Sequence, residues 1–398
     1  MSQNLKARLR RIRDSERIPI TPELKCSKAA SPCLDEVPWS GWAEAGFKVY
    51  ERKAFRELAF SLPQVFPKSL AILVPDLVRA GRIPSPGELL FFDLETTGLS
   101  GGAGTIAFLA AFGRFAPQAD NAPASNAPAG TVPARLEITQ YLLLDYPGEP
   151  EFIESAAKEF ASFPHKGNGS LCFAASYNGK CFDFQILKNR CLMNGIAYPA
   201  FLHADLLHPA RRLWKRLISD CSQASVEASV LGLDRSGDLT GALAPEIWFS
   251  FLRSGENREL LSVCDHNIRD ITGLASLFLA LGEIAAEPFK SRFRFDEEAL
   301  ALSWRNAIRK HPFFFGESYQ DYAKTGKLLL ENAARNGHQR AAFTLLRSLA
   351  IDSEWRLRDY ALALAYTESA LALPEIPGNW REGLEKRRMR LEGKINYV

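Results

Sequence analysis

The sequence predicts an α/β fold, one mixed sheet flanked by helices, followed by an all-helical C-terminal region. Three strand-like segments come first, helices then alternate with further strands, and strand signals fade after about residue 285. This order favours a single sheet with a hairpin meander at one side. The later helices carry Ala and Leu at helical spacing, which is typical of helix-turn-helix repeats.

The strand and helix segments follow from hydrophobic period and from turn residues. Apolar, aromatic and β-branched residues predict strands at 89–95, 105–115, 135–146, 170–179 and 201–207. Helical spacing predicts helices at 149–163, 182–195, 209–218 and 259–278. Acidic residues in the first turn of the 149–163 helix agree with its dipole.

We divide the 398 residues into three parts, since the chain is too long for one small core. Residues 1–85 are an N-terminal adaptor segment, partly helical around 42–60. Residues 86–284 form the α/β domain, with a flexible Ala-, Pro- and Asn-rich insertion at 116–134. Residues 285–398 form the helical region.

Composition and charge limit the function classes. Hydrophobic residues make up 46% and charged residues 24%, the profile of a folded soluble protein, and the net charge of +3 neither demands nor excludes a polyanion. Seven scattered cysteines without a CxxC pair indicate reduced thiols and a cytoplasmic location. The first residues lack the apolar core of a secretion signal, and no apolar run is long enough for a bilayer.

Two acids end the first buried strand. Asp93 and Glu95 alternate along LLFFDLETTG, so both project from the same face. Two close carboxylates repel unless a cation lies between them. Oxygen ligands favour Mg²⁺ or Mn²⁺. The alternative is an acidic strand end that faces water.

Further acids lie at comparable places. Asp183 enters the helix after SYNGKCF, where the alternative role is helix N-cap. His266 and Asp270 are one turn apart on an amphipathic helix, where a local hydrogen bond is the alternative. Together with Asp93 and Glu95 these acids need about two divalent ions, the arrangement used for attack on phosphodiesters. His266 is then placed to take the proton of the attacking water.

The segments FDLETTG, NGKCFD and HNIRD, in this order, resemble the DEDD exonucleases of the ribonuclease-H-like (DnaQ-like) superfamily. Over residues 88–282 the chain is similar to YprB-type members, which carry tetratricopeptide-like helices behind the nuclease-like domain. The resemblance implies hydrolysis that releases nucleotides from a 3′ end. It implies two Mg²⁺ or Mn²⁺ ions held by Asp93, Glu95, Asp183 and Asp270. It further implies His266 as general base, Glu95 near the terminal 3′ hydroxyl, and Asn178 in the substrate site.

One departure concerns the base. Three residues separate His266 from Asp270, the spacing of members with a Tyr base, whereas members with a His base have four. The metal ligand is therefore better supported than the base. Asp265 is either a surface acid or a substitute ligand, and we favour the surface role.

Substrate contacts are predicted on the helix that contains HPARRLWKRL. Arg211, Arg212 and Trp214 offer charge for phosphate and a flat ring for a base. The alternative is a solvated basic face with Trp214 in the core. Thr96, at the exit of the acidic strand, joins the predicted substrate site. The Gly-rich 99–104 lacks the Lys-Ser/Thr of a phosphate loop and is interpreted as a turn.

The leading hypothesis is a divalent-metal-dependent 3′→5′ exonuclease acting on DNA or RNA. The alternative is a nucleic-acid-binding or scaffold protein with little turnover, whose helical tail binds a protein partner. In both, the loop and helix predicted at 236–252 cover one edge of the site. No membrane partner is expected.

Overall fold

The computed structural model describes residues 39–98, 104–116, 133–161, 172–239, 241–376 and 378–396. Within these residues seven strands form one mixed sheet. The strands are β1 (Trp42–Gly46), β2 (Val49–Ser61), β3 (Leu89–Thr96), β4 (Ala107–Phe115), β5 (Pro133–Leu143), β6 (Cys172–Ser176) and β7 (Phe201–Asp205). Their order across the sheet is β1-β2-β5-β4-β3-β6-β7. The neighbours from β1 to β3 are antiparallel, and β6 and β7 run parallel to β3.

The main helices of the described residues lie in two groups. Those that accompany the sheet are α1 (Leu70–Leu73), α2 (Asp76–Arg79), α3 (Glu149–Ala161), α4 (Asp183–Met193), α5 (Leu207–Trp214), α6 (Gln223–Val226), α7 (Ala244–Ser254) and α8 (Arg258–Ala286). Those that follow are α9 (Glu297–Lys310), α10 (Pro312–Phe315), α11 (Tyr319–Arg335), α12 (Gln339–Asp352), α13 (Tyr360–Leu371) and α14 (Gly378–Asn396). Short 3₁₀ segments span Pro86–Glu88, Tyr146–Gly148, Gly241–Leu243 and Gly316–Ser318, and π turns span Glu227–Leu231 and Ser353–Leu357.

Strand β3 lies at the centre of the sheet and explains where a site can form. Its residues 89–92 are fully buried, as expected for a strand covered on both faces. It pairs with the parallel β6 only over Leu89–Phe91, so its carboxyl half has β4 alone as a neighbour. Asp93 and Glu95 lie in that half, at the edge of the sheet where β6 and β7 also end. Carboxyl ends of parallel strands are where ligands bind in such sheets.

Residues 42–60, expected to be helical, form the β1–β2 hairpin instead. The Ala, Glu and Lys content of this stretch favours a helix by intrinsic propensity. Strand pairing overrides it, because β2 runs antiparallel to β5 from the Val49–Leu143 pair to the Glu57–Arg135 pair. The hairpin thus extends the sheet, while the helical content of the described part of 1–85 is confined to the two short helices α1 and α2.

The long helix α8 lies against β2, β3 and β4 and joins the sheet to the rest of the core. Most of its apolar side chains between Leu260 and Ala285 are buried. Helix α9 then packs on α1 and α5, and the helices after it pack in succession. At Gly326 an added Cβ would lie 2.9 Å from Trp304 Cδ1, so this glycine permits the close approach of α11 to α9.

These findings confirm the predicted α/β class with a helical C-terminal region. The predicted insertion at 116–134 and the Gly-rich 99–104 fall largely outside the described residues. The domain boundaries at 85 and 284 stay predictions. In the part of the chain that the structure describes, no helix combines the length and the apolar character that crossing a bilayer requires.

Candidate metal centre

The four predicted acids approach one another at the carboxyl edge of the sheet. Burial raises the pKa of Asp93 to about 7, and the Asp270 carboxylate adds to the rise. Burial raises the pKa of Glu95 well above its ordinary value, with further contributions from Asp93, Asp270 and Asp183. Burial, together with the charge of Asp93, also raises the pKa of Asp183 well above its ordinary value. Side chains from β3, α4 and α8 therefore share one region of negative potential.

Asp205 organises the turn that delivers Asp183. This buried carboxylate, at the end of β7, accepts hydrogen bonds from the backbone N–H of Asn178 (2.9 Å) and of Lys180 (3.3 Å). It also accepts one from Leu207 N, at the start of α5 (3.1 Å). Asn178 has φ 64°, a left-handed conformation that Asn tolerates better than most residues. The ends of β6 and β7 are thereby held together.

The turn leaves no room for a side chain at position 179, so a glycine is required there. A Cβ added there would lie 2.3 Å from Ser176 Oγ and 2.9 Å from Asp183 Oδ2. Contacts below 3.0 Å force a neighbour to move, and here the neighbours are Ser176 and one of the clustered carboxylates, Asp183. The glycine in NGKCFD thus allows the chain to pass closely beside Asp183.

Asn267 positions Asp93 and was not singled out by the sequence analysis. Its side chain is fully buried, and its Nδ2 donates to Asp93 Oδ2 (2.7 Å). Its Oδ1 accepts from Gln140 Nε2 (2.9 Å). Gln140, also fully buried, accepts from Arg52 Nε (2.9 Å) and Nη2 (2.7 Å). A chain of hydrogen bonds therefore runs from β2 through β5 and α8 to the acid of β3.

The sequence did contain a signal for this chain. Gln140 is a long polar residue inside the apolar strand segment EITQYLLL, and Asn267 lies directly before the apolar Ile268 in an amphipathic helix. A buried amide needs partners for both its N–H and its C=O. Such residues in an apolar run indicate a polar network, although the period of the sequence does not say what they contact.

Arg235 is a second functional residue that sequence reasoning missed. Its side chain is 11% exposed, and its Nη2 lies 2.6 Å from Asp270 Oδ1. Its Nη1 donates to Asp238 Oδ2 (2.7 Å) and its Nε to Glu227 Oε2 (2.6 Å). Arg235 is thus held by Glu227 and Asp238 with its cation against one oxygen of Asp270. It lowers the negative potential at that acid.

His266 lies between two carboxylates. Its Nε2 is 3.3 Å from Asp270 Oδ2, as the one-turn spacing predicted. Its Nδ1 is 3.0 Å from Asp238 Oδ1, near enough for an ion pair but poorly angled for a hydrogen bond. Glu95, His266 and Asp270 offer donor atoms that all lie within 4.8 Å of one another, a spacing suited to a metal ion. His266 is therefore placed either to ligate or to accept a proton.

The segment 236–252 covers this side of the site. Asp238 reaches His266, and a Cβ added to Gly241 would lie 3.2 Å from His266 Nε2. The helix that follows, α7, is anchored by Trp248, whose Nε1 donates to Leu143 O (2.9 Å). The predicted loop and helix are therefore observed where the structure describes them, which excludes Thr240.

The prediction that Trp214 is a stacking surface for a base is wrong. It is only 1% exposed, and its Nε1 donates to Arg294 O (2.8 Å). With Leu213 and Ala210 it forms the buried face of α5, since these positions are one turn or less apart. The alternative interpretation, Trp214 in the core, is the observed one.

The other predicted substrate residues have mixed environments. Arg211 is exposed, whereas Arg212 is half-buried with long contacts from Nη1 to the carbonyls of α1. Thr96 is buried, and its hydroxyl donates to Gly98 O (3.1 Å). Asp265 has a 58% exposed side chain and pairs with Arg52 (3.1 Å), which agrees with a surface role.

A mixed sheet in this order, with acids at its carboxyl edge, defines a ribonuclease-H-like domain. Residues 90–281 match the family model described as the RNase_H superfamily. The chain is also 29% identical over 311 residues to the uncharacterized protein YprB of Bacillus subtilis (strain 168). That similarity covers 72% of this chain and 69% of the relative. The predicted ribonuclease-H-like fold is confirmed, while the DEDD subtype and the tetratricopeptide character of the tail stay predictions.

Proposed function

We propose that the protein is a divalent-metal-dependent 3′→5′ exonuclease that hydrolyses phosphodiester bonds of DNA or RNA. The observation that carries this proposal is the cluster of Asp93, Glu95, Asp183 and Asp270, whose charges oppose one another in a partly buried place. The RNase_H superfamily match supports a nuclease-type activity on nucleic acid. The 3′ polarity is supported by the resemblance of the three motifs alone.

The donor set fits Mg²⁺ or Mn²⁺. Carboxylate oxygens are the ligands these hard cations prefer. Asn267 binds one oxygen of Asp93 and Arg235 one oxygen of Asp270, so each acid keeps a second oxygen outside those bonds. Two ions held here by the four acids would stabilise both the attacking and the leaving oxygen of the phosphodiester.

The protein's own groups orient the acids and move the proton. Asn267 fixes the carboxylate plane of Asp93, and Asp205 fixes the turn that carries Asn178 and Asp183. We assign His266 Nε2 as the acceptor of the proton from the attacking water. Asp238, close to Nδ1, favours the imidazolium that forms, as a buried carboxylate does for a catalytic histidine.

The test combines metal binding with hydrolysis. Mn²⁺ is titrated in a thermal-shift measurement, and 5′-labelled single strands of DNA and RNA are incubated with the same proteins. Wild type should be stabilised by Mn²⁺ and should shorten the strands from the 3′ end. Asp93→Asn and Asp183→Asn should lose both properties, whereas Asp265→Asn, a matched change at an exposed acid of α8, should keep them. Absence of metal-dependent shortening by the wild type would remove the proposal.

One observation favours the second candidate, a nucleic-acid-binding or scaffold protein with little turnover. Arg235 already compensates Asp270, and a fixed guanidinium in that place reduces the need for a cation. A wild-type protein that binds a labelled strand, yet is neither stabilised by Mn²⁺ nor able to shorten the strand, would identify this function. The two candidates therefore differ in one measurable property, the response to metal.

A further inference from the structure

Three of the C-terminal helices line a cavity of about 510 Å³ that is rich in arginine. Helix α9 contributes Arg305 and Arg309, α12 contributes Arg340 and Arg347, and α14 contributes Arg387. Among the described residues that line it, none is acidic. The volume is within the range of ligand sites in proteins, about 300–1,000 Å³.

Helical spacing places these arginines on faces that point at one another. Arg305 and Arg309 are four residues apart, and Arg340 and Arg347 are seven apart, so each pair shares one face of its helix. Like charges four residues apart, as in Arg305 and Arg309, destabilise a helix rather than support it. Their grouping is therefore not explained by the stability of the individual helices.

The arginines are not neutralised by the protein in the part of the chain that the structure describes. Within the described residues, the side-chain hydrogen bond of Arg305 goes to a hydroxyl, Ser348 Oγ, at 3.2 Å. For Arg309, Arg340 and Arg347 the described residues provide no ion pair, whereas Arg387 binds Glu354 (2.6 Å). Burial, Arg309 and Arg347 lower the pKa of Arg305. This cluster, termed the arginine cleft, thus has about four uncompensated positive charges.

A second cavity, of about 550 Å³, continues the arginine cleft. It shares Arg305, Arg309 and Arg347 with the first and adds Lys327. Its acid, Asp352, lies 3.3 Å from Arg356. The basic lining therefore extends over two adjoining spaces instead of ending at one pocket.

An aromatic surface accompanies the charge. Trp380 lines the first cavity and stacks on Phe343, with ring centroids 4.6 Å apart and an interplanar angle of 18°. Basic side chains beside aromatic rings are the combination that holds single-stranded nucleic acid, through phosphate contacts and base stacking. An acidic peptide has no base for such a ring, and a nucleoside monophosphate, with at most two negative charges, has too little charge for four arginines.

We propose that the arginine cleft binds a single-stranded stretch of DNA or RNA, its phosphates against Arg305, Arg309, Arg340 and Arg347. This deepens the proposed function, on which its biological role rests, by adding a second strand-binding site formed entirely by residues after 296. The binding itself does not depend on hydrolysis. It can therefore be measured on the full chain without divalent metal.

The experiment measures fluorescence anisotropy of a 5′-labelled single strand with the full chain in EDTA, over a series of salt concentrations. Arg305→Gln with Arg347→Gln should weaken binding about tenfold or more, and should reduce the slope of log K against log salt by about 1.4. The matched control, Arg56→Gln with Arg335→Gln, removes two exposed arginines that line neither cavity and should bind like wild type. Lysine at 305 and 347 should restore most of the affinity, which separates charge from folding.

Three outcomes would overturn the inference. The first is unchanged strand binding by the glutamine double variant. In the second, a mononucleotide competes as well as the strand, which would indicate a free-nucleotide site. In the third, a poly-glutamate peptide, but not the strand, depends on the two arginines. If the protein hydrolyses strands with metal but the glutamine double variant binds normally, the proposed exonuclease function stands and the arginine cleft is refuted. If binding depends on the arginines but no hydrolysis occurs, the arginine cleft stands and the exonuclease function is refuted.

Discussion

Asn267 Nδ2 donates a hydrogen bond of 2.7 Å to Asp93 Oδ2, and this bond joins helix α8 to the central strand β3. The amide is fully buried, and its other end is fixed by Gln140. An amide held at both ends orients the carboxylate before any ligand arrives. Groups that orient ligands in this way are worth about 10–100-fold in metal affinity or activity.

Asn267→Leu should therefore lower kcat about 10–100-fold and should raise the Mn²⁺ concentration needed for half-maximal activity. Leucine cannot donate to Asp93, and it leaves the N–H of Gln140 with one partner fewer. The free energy of unfolding should also fall, by about 1–3 kcal/mol. Activity measured against Mn²⁺ concentration tests the first effect. Asn332→Leu, in a helix after the sheet, serves as control, and an unaltered metal requirement in Asn267→Leu would refute the role.

The pKa of Asp93 predicts how the stability of the metal-free protein depends on pH. Folding raises this pKa from its ordinary 3.8 to about 7, so the fold favours the protonated acid. The resulting contribution to stability is fully present below pH 3.8 and is lost as pH rises through about 7. Thermal denaturation in EDTA should show a Tm that falls between about pH 4 and pH 7 and levels off above that. Asp93→Asn should reduce the fall, with Glu95 and Asp183 responsible for the remainder, and an equal fall in the variant would assign it to these and other groups.

His266→Ala should reduce kcat by about 10²–10⁴-fold, the usual contribution of a general base. If His266 accepts the proton, wild-type activity should rise with pH, because a protonated imidazole cannot act as a base, and this rise should vanish in the variant. Asp238→Asn should weaken activity while leaving a pH-dependent rise in place. A pH–rate profile that keeps its shape in His266→Ala would exclude proton transfer to this residue.

Gly179→Ala tests the geometry of the turn before Asp183. The added methyl group would meet Ser176 Oγ at 2.3 Å and Asp183 Oδ2 at 2.9 Å, so the carboxylate has to move. We expect a loss of Mn²⁺ stabilisation and of activity. Gly87→Ala is the matched control, because a Cβ there meets nothing within 4 Å. Equal metal responses in the two variants would show that Asp183 tolerates displacement.

Much of the fold could be predicted from local pattern. Strand β3 and helix α8 have strong periods, and their ends were correct within a few residues except for the carboxyl end of α8, which continues to Ala286. The hairpin at 42–61 was missed because its residues favour a helix in isolation. Its strand pairing with β5 joins residues that are between 72 (Ser61–Pro133) and 94 (Val49–Leu143) positions apart, and no local pattern contains that information.

The residues of the candidate site also include some that the sequence could indicate and some that it could not. Asp93, Glu95, Asp183 and Asp270 are carried by short motifs, so the sequence could indicate them. Arg235 lies in a loop whose sequence has no hydrophobic periodicity, and its role depends on ion pairs with residues up to thirty-five positions away. Trp214 was ambiguous for a different reason, since the sequence of a short basic helix does not say which of its faces is covered.

The route from Arg52 to Asp93 has a practical meaning for anyone who shortens this protein. The part that matches the RNase_H superfamily begins at residue 90, after the β1–β2 hairpin has ended. A chain trimmed to that match would lack β2, so the edge of β5 would be exposed to other chains. The side-chain carbonyl of Gln140 would also lose its hydrogen bonds from the Arg52 guanidinium. The shortest working unit should therefore start before Trp42.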